Sequence, residues 1–397
     1  MINLASRDVA HGLGRYLLTS VGLALLIGVT LSMAGIYRGM VDDARALLTS
    51  WQADIWVVQQ HTLGPFAESS TLRDDVYRGL AGLPGVAQTG NVTFLTMQVK
   101  QGVKDVRVMV AGFEPGRPGE PTLLTAGRPV TRSHYEAIAD VKGGFSLGER
   151  IRIRRKEYTV VGLTNRMVSS SGDPMVFIPL KDAQEAQFLK DNESIRNERS
   201  RLAANPTLNR PGVPGLLEAV EANQFSSHNV NAVLVRVAPG FDRRAVAENV
   251  KRWKYLQAYT GEDMEEILVG KLIATSARQI FVFLVILALV SATIVAFIIY
   301  TMTLAKIKEI AVLKLIGAKN TTIAGMILQE ALGLGLIGFL AGKLTATLWG
   351  PYFPRYVVLL TEDALRGFIV TMAICALASV VAIRAALRID PATAIGG

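Results

Sequence analysis

The sequence predicts an α-helical membrane protein with four transmembrane helices and a large mixed α/β extracytoplasmic domain inserted between helices 1 and 2. Three observations predict this class. Hydrophobic residues make up 50% of the 397 residues and charged residues only 19%, a balance that argues against a cytosolic enzyme. Four apolar stretches reach the roughly 20 residues that a helix needs to cross a bilayer. One long polar stretch, 38–277, separates the first from the second.

The distribution of basic residues predicts the orientation of these spans. Lysines and arginines gather before the first span, between the second and third, and after the fourth, which places those segments in the cytoplasm. In chain order we predict a cytoplasmic amphipathic N-terminal helix over 1–15, span 1 over 16–37, the extracytoplasmic domain ending in a helical stalk over 38–277, span 2 over 278–304, a cytoplasmic coupling helix over 305–321, span 3 over 322–348, a short external loop over 349–366, span 4 over 367–387 and a cytoplasmic tail over 388–397. A cleaved signal peptide is the alternative for span 1, although its apolar run exceeds a signal core.

Composition also excludes several classes of function. The net charge of +9 could favour nucleic acid, but the stretch 38–277 holds 30 basic and 27 acidic residues, so most of the excess flanks the spans and no nucleic-acid partner is expected. The single cysteine excludes an intrachain disulfide and a thiolate zinc site. The four scattered histidines lack the close spacing of metal ligands.

The extracytoplasmic stretch has the patterns of a mixed α/β domain. Strands are predicted at 55–58, 92–99, 106–111, 150–153, 158–161 and 233–237, where β-branched residues recur. Helices are predicted over 72–80 and 181–204, and a Pro-rich connection over 202–214. From Arg243 onward a helical register runs into the second span, which predicts a stalk that leads out of the membrane.

Two segments resemble catalytic or phosphate-binding motifs of enzymes but lack the features that those motifs require. Residues 144–148 match the G-x-S-x-G nucleophile elbow, but a strand follows where the motif requires a helix. We therefore predict a turn, followed by a hairpin that turns at 154–157, whose basic residues favour a solvated edge over an anion site. Gly342 and Lys343 lack the spacing and hydroxyl of a phosphate-binding loop, so the chain is predicted to be no ATP hydrolase and to hold no cofactor itself.

The third span contains the polar candidates within the membrane. Glu330 and Lys343 are costly in hydrocarbon, so Glu330 has either a structural role or one in substrate handling, and Lys343 can extend to the interface. Glycines recur at spacings that permit close helix packing, at Gly333, Gly335, Gly338 and Gly342. Cys375 in the fourth span is interpreted as a packing residue.

The segment between the second and third spans is the candidate functional element. Its apolar residues fall at helical spacing and Gly317 can end the helix in a left-handed conformation. It is either a linker lying at the headgroups or a helix docked into a groove of a partner. The candidate coupling residues are Lys308, Glu309, Ile310, Leu313, Lys314, Leu315, Gly317 and Ala318.

This segment resembles the coupling region of FtsX-like, MacB-type ABC transporter permeases. The phrase at 308–318 is similar to the family's R-E-I-x-x-L-K-A-x-G-A, and 386–392 resembles its closing A-x-x-x-x-P-A-E-A-L, with Thr393 in place of an acidic residue. The order of the spans and the large insert also fit. The absence of a fused nucleotide-binding domain makes the chain most similar to DevC-like exporter permeases and lipoprotein-releasing permeases.

The resemblance implies a non-catalytic permease subunit of the cell inner membrane that transmits the motion of a separate ATPase to its extracytoplasmic domain, for efflux or extrusion. The alternatives are a permease that extracts lipoproteins or lipids, and an FtsX-like signalling permease that regulates a cell-wall hydrolase. The partners implied are an ABC ATPase dimer that binds ATP and Mg²⁺, a second permease copy, membrane lipids, and in a two-membrane cell a periplasmic adaptor and an outer-membrane duct. Lys308 and Glu309 would contact the ATPase, while Ile310, Leu313 and Leu315 would fill its groove or pack back on the spans.

Overall fold

The computed structural model describes residues 13–102, 104–188, 197, 200–201, 204, 228–353 and 355–388. The predicted N-terminal helix over 1–15, apart from its last residues, the connection over 202–214, apart from Ala204, and the tail after Arg388 lie outside the described residues. The chain divides into two compact units, Met1–Met40 with Thr275–Gly397, and Val41–Ala274.

Helices and strands follow one another in the order expected of a helical unit that carries an inserted α/β unit. The helices are α1 Leu13–Ser50, α2 Val76–Ala81, α3 Leu180–Gln187, α4 Arg243–Lys251, α5 Gly261–Glu265, α6 Ala274–Ala305, α7 Ile307–Leu315, α8 Asn320–Trp349 and α9 Thr361–Leu387. The strands are β1 Ile55–Gln59, β2 Leu72–Arg73, β3 Val86–Gln101, β4 Lys104–Phe113, β5 Leu124–Gly127, β6 Glu136–Asp140, β7 Arg150–Ile153, β8 Lys156–Thr164, β9 Met175–Pro179, β10 Asn229–Val230, β11 Ala232–Val237 and β12 Leu256–Thr260. Short 3-10 turns lie at Val141–Gly143 and Gly350–Tyr352, and a π-helix spans Glu266–Ile273.

Four helical segments of the described chain are long and apolar enough to cross a membrane, Ser20–Ser50, Gly261–Ala305, Asn320–Tyr352 and Thr361–Leu387. They contain three of the four predicted spans and overlap the first, 16–37, from Ser20 onward, so the predicted fold class is confirmed. The helices of the first unit share one core of buried apolar side chains, which includes Leu23, Ile299 and Ile327. Each helix therefore buries one face against its neighbours and leaves the other for its surroundings.

The α/β unit is built on a ten-stranded sheet. Its strand order is β12-β1-β11-β3-β4-β9-β6-β8-β5, and β7 pairs with β8. The long strand β3 belongs to both halves, because its first part pairs with β11 and its second part with β4. One apolar core lies against β1, β11 and α4, and another lies around β4, β6 and β8.

The hairpin formed by β7 and β8 confirms the reading of the G-x-S-x-G match as a turn. Ile153 pairs with Lys156, so the turn consists of Arg154 and Arg155, and Arg154 adopts a φ of 56°. Strand β7 alternates between exposed arginines and buried isoleucines, as its sequence predicts. Ser146 lies in the turn that leads into this strand, where its backbone N–H donates to Glu149 Oε2 at 2.8 Å.

A buried carboxylate fixes the start of β6, an interior strand of the sheet. Glu136 begins β6, and the Arg128 guanidinium donates to both of its oxygens, at 3.1 and 2.5 Å. The backbone N–H groups of Thr131 and Arg132 donate to the same carboxylate at 2.9 and 3.1 Å. The Arg128 hydrogen bonds, followed by those from the backbone, lower the pKa of Glu136 to about 2 despite its burial.

Three predicted helices differ from the structure. The segment 72–80 begins as strand β2, paired with β10, and becomes helical only at Val76. The helix predicted over 181–204 ends at Gln187, and most of its remainder lies outside the described residues. The helical register predicted to run from Arg243 is interrupted by β12, whose five residues pair with β1. Cross-strand pairing at the edge of the sheet overrides the local helical pattern there.

The helical run into the second span begins only after β12. Thr260 caps it, since its hydroxyl accepts from Asp263 N–H and the Asp263 carboxylate accepts from Thr260 N–H in a capping box. The run then continues from Gly261 to Ala305. Within it, Glu266–Ile273 forms a π-helix, whose hydrogen-bonded turns are one residue wider than those of an α-helix.

Candidate functional site

Helix α7 connects the second and third spans and has well-defined ends. It follows α6 after the single residue Lys306, whose carbonyl accepts from Ile310 N–H at 2.9 Å. At its other end Gly317 has a φ of 90°, Gly317 N–H donates to Lys314 O at 3.0 Å and Ala318 N–H donates to Leu313 O at 2.9 Å. These paired bonds form a Schellman motif. Gly317 thus ends the helix in the left-handed conformation that its sequence predicts.

The two sides of α7 differ in burial. Ile310 and its neighbour Ala311 are buried within the helical unit, and Leu313 is half-buried. Lys308 and Glu309 are exposed in the first turn, where an acidic side chain suits the positive end of the helix dipole. Ile310 therefore packs back on the spans, and the first turn presents a polar surface.

An apolar patch lies at the end of α7. It consists of Val312, Leu315 and Ile316, which are 46%, 64% and 79% exposed, and we call it the α7 patch. Leu315 belongs to the predicted coupling set, whereas Val312 and Ile316 do not. Exposed large apolar side chains that lie together mark a surface that other molecules cover.

A buried ion pair fixes the start of α7 to the third span. Lys306 Nζ lies 2.7 Å from Glu330 Oε1, and the two side chains are only 14% and 8% exposed. Glu330 is therefore paired, and its partner Lys306 is not among the candidates that the sequence predicts. The sequence signal for this pair is weak, because the two residues lie 24 positions apart. Lys306 lies between α6 and α7, whereas Glu330 lies within α8.

A second lysine fixes the end of α7 to the fourth span. Lys314 Nζ donates to Leu387 O at 2.9 Å and to Ala386 O at 3.3 Å, at the last turn of α9. The final carbonyls of a helix lack partners within it and carry the negative end of its dipole, so an ammonium group stabilises them. Lys306 and Lys314 together join α7 to α8 and α9.

Three of the four glycines predicted to pack in the third span do so. A Cβ on Gly335 would lie 2.7 Å from Cys375 Sγ of α9, and one on Gly338 would lie 2.6 Å from Leu23 of α1. A Cβ on Gly342 would lie 2.9 Å from Ala24 O, also in α1. Gly333 differs: no atom of the described residues lies within 4 Å of its Cβ position, so close packing at Gly333 stays a prediction. Residues two positions apart point to nearly opposite sides of a helix, so Gly333 faces away from the side on which Gly335 packs.

Glycines in α1 contribute to packing that the sequence analysis overlooked. A Cβ on Gly39 would fall 1.7 Å from Tyr356 O in the loop before α9, so only glycine fits there. Val358 N–H donates to Gly35 O at 3.0 Å in the same region. Arg38 lies between Gly35 and Gly39 in sequence. Its guanidinium donates two hydrogen bonds, of 2.9 and 3.1 Å, to the Asp363 carboxylate at the start of α9.

Two further candidates of the membrane spans, Lys343 and Cys375, lie on α8 and α9. Lys343 is exposed on α8, one residue after the buried Gly342. Cys375 is buried in the helical unit, beside Gly335. In the part of the chain that the structure describes, no group of three His, Cys, Asp or Glu side chains is positioned to hold a metal ion.

Comparison with known proteins connects these features to a family. Residues 16–253 match the model of the MacB-like periplasmic core domain, and residues 281–391 match that of the FtsX-like permease C-terminal. An uncharacterised ABC transporter permease of Mycobacterium tuberculosis is 23% identical over 397 residues, and one of Mycobacterium bovis is 22% identical over 401; each alignment covers 100% of both chains.

A solved structure is also similar to this chain. The periplasmic region of MacB from Actinobacillus actinomycetemcomitans aligns with 58% of this chain and 97% of its own length, with 12% sequence identity and a TM-score of 0.35.

Proposed function

The chain belongs to the FtsX-like, MacB-type family of ABC transporter permeases, and from this membership we propose that it transmits the motion of a separate ATPase to its α/β unit for efflux. The single observation that carries the proposal is the α7 patch beside the exposed charges of Lys308 and Glu309. An apolar helix end with a polar first turn suits helix-in-groove recognition by a partner. ATP and Mg²⁺ would be bound by that partner.

The anchoring of α7 supports a role in transmitting force. Lys306 holds its start to Glu330 of α8, and Lys314 holds its end to the last carbonyls of α9. A partner that displaced α7 would therefore pull on both spans instead of bending a loose loop. The paired state of Glu330 favours a structural role for this residue over one in substrate handling.

The helical run from Gly261 to Ala305 supports a path for that motion towards the α/β unit. It begins at the end of β12 and reaches Lys306 with no described break in helical structure. A helix keeps its hydrogen bonds within itself, so an axial displacement at one end is carried along it. We propose that the end beside α7 lies in the cytoplasm, as the distribution of lysines indicates.

The surface of α6 supports a second permease copy as a partner. Only 17% of the most apolar 18-residue stretch of this helical run is buried in the single chain. Its exposed side chains include Phe281, Phe283, Leu289 and Phe297. We propose that a second copy covers part of this face and that lipid covers the rest. In a cell with two membranes the complex would also need an adaptor and an outer-membrane duct.

The proposal is tested by removing the α7 patch. The double variant Leu315→Ser, Ile316→Ser keeps the helix end but removes two exposed apolar side chains, each contributing about 1 kcal/mol or more when buried by a partner. We expect at least a tenfold loss of binding to the cognate ATPase subunit in lipid nanodiscs, and loss of the permease's effect on ATP hydrolysis. The matched control is Val141→Ser, which removes an exposed apolar side chain from the α/β unit. Unchanged ATPase binding by the double variant would refute the coupling role.

A further inference from the structure

A cleft of about 210 Å³ lies in the α/β unit and has no part in the coupling proposal. Its floor consists of Phe66, Phe94 and Met109, all of which are largely buried beneath it. Its rim is polar and comes from the two loops around residues 65–69 and 169–173. The volume far exceeds the roughly 10–15 Å³ that one water molecule requires.

The floor of the cleft is a preformed aromatic surface. The rings of Phe66 and Phe94 lie 5.3 Å apart, and Trp51 packs edge-on against Phe94 at 5.4 Å. Aromatic clusters with this spacing hold their rings in fixed orientations. An apolar ligand face could therefore be buried without reordering the protein, which reduces the entropic cost of binding.

The two loops of the rim are also held in place. Ser170 Oγ donates to Phe66 O at 3.3 Å and so joins one loop to the other. Asn231, at the base of the cleft, donates to Ser70 O at 2.7 Å and accepts from Phe94 N–H at 2.7 Å. Ser169 accepts from Asp173 N–H at 3.1 Å, which closes the second loop as a turn. Binding pockets that recognise small molecules combine such fixed polar groups with an apolar floor.

The charges at the rim select the kind of ligand. Glu68 and Asp173 contribute carboxylates, and the side chains that line the cleft include no lysine, arginine or histidine. Arg107, outside the lining, pairs with Asp173 at 3.2 Å. Glu68 accepts only a neutral hydrogen bond, from Leu63 N–H at 2.8 Å, and has no ion pair with a described basic residue. Its charge therefore remains available to a cation and repels an anion.

We propose that this cleft binds a small organic cation with one apolar face, of the aryl-alkylamine class. The aromatic face of such a molecule would lie on Phe94 and Met109, and its ammonium group would lie beside the Glu68 carboxylate. The serine hydroxyls of the rim would accept its remaining N–H groups. The inference goes beyond the proposed coupling role and does not depend on it, because it concerns a site within the α/β unit alone.

Ligand-observed saturation-transfer NMR on the full chain in lipid nanodiscs tests this inference, with no ATPase and no nucleotide present. Three probes of matched shape separate the contributions: 2-phenylethylammonium, neutral 2-phenylethanol and anionic 3-phenylpropanoate, each corrected with empty nanodiscs. We expect the ammonium to bind most tightly, in the millimolar range or better, and the carboxylate least. Equal binding of ammonium and carboxylate would overturn the proposal, whereas failure of the ATPase experiment would leave this result untouched.

Three variants locate the probe. Glu68→Gln keeps the acceptor for Leu63 N–H but removes the charge, so we expect the ammonium to bind about three- to fivefold more weakly and the alcohol to bind as before, as for a partly exposed ion pair. Ser170→Trp fills the cleft and should abolish binding of both, while Ser146→Trp, on an exposed turn, should not. A Glu68→Gln variant with unchanged ammonium affinity contradicts the proposal even if Ser170→Trp fails to fold.

Discussion

The buried ion pair between Lys306 and Glu330 leads to the sharpest prediction. Replacing Glu330 with Gln keeps a hydrogen-bond acceptor 2.7 Å from the ammonium group but removes the opposite charge. Breaking a buried pair by removing one partner costs about 3–5 kcal/mol. The two side chains are still 14% and 8% exposed, so we expect a loss at the lower end of that range, about 3 kcal/mol. The loss should appear in the free energy of unfolding in mixed micelles.

The double variant distinguishes the pair from simple loss of packing. In Lys306→Met, Glu330→Met both charges disappear together, and apolar side chains of similar size fill the space. We expect stability within about 1 kcal/mol of the parent protein, since replacing a whole buried pair by apolar residues is often neutral. The control Lys308→Met removes an exposed lysine from the same helix and should change nothing. The single variants Lys306→Met and Glu330→Met complete the cycle. If their two losses simply add up to the loss in the double variant, the coupling energy is near zero and the pair has no energetic role.

Three further predictions concern packing, pH and the helix end. Gly338→Leu should destabilise the helical unit by about 2 kcal/mol or more, because its Cβ would lie 2.6 Å from Leu23. The control Gly333→Leu should be nearly neutral. Thermal unfolding in nanodiscs measures both variants. The pKa of Glu136 is lowered to about 2 in the folded protein, so its carboxylate stabilises the fold fully above the pKa of the unfolded chain, and this stabilisation is lost as the pH falls towards the folded pKa. Between pH 6 and pH 3 the unfolding temperature should therefore fall less steeply in Glu136→Gln than in the parent protein. Parallel curves for the two proteins would contradict this. Gly317→Ala forces a φ of 90° on a residue with a Cβ and should cost about 1 kcal/mol, lowering ATPase stimulation more than Ala318→Ser does.

The sequence predicts those features that depend on local chemistry. The spans follow from apolar length, and the end of α7 at Gly317 follows from the left-handed conformation that a Schellman motif requires. The hairpin turn at 154–155 follows from the alternation of β7. Each of these needs only neighbouring residues for its explanation.

The features that the sequence misses depend on distant partners. Strands β6 and β9 are buried along their whole length, so they lack the alternation that identifies a strand. Glu330 can be recognised as costly within an apolar span, but its partner Lys306 lies 24 positions earlier, in the link between α6 and α7. Gly333 and Gly335 look equivalent in sequence, and only the neighbouring helices decide which of them is covered.

The π-helix at Glu266–Ile273 has a consequence for changes in chain length. Each of its hydrogen bonds joins residues one position further apart than in an α-helix. Deleting one residue there would therefore restore the hydrogen-bond pattern of an α-helix. A deletion of Gly270 would therefore leave the later side chains of α6 pointing in nearly the same directions. The same deletion at Ser291, within the regular part of that helix, would turn every later side chain by about 100°. The deletion of a single residue is thus tolerated at one identifiable position between the sheet and the second span.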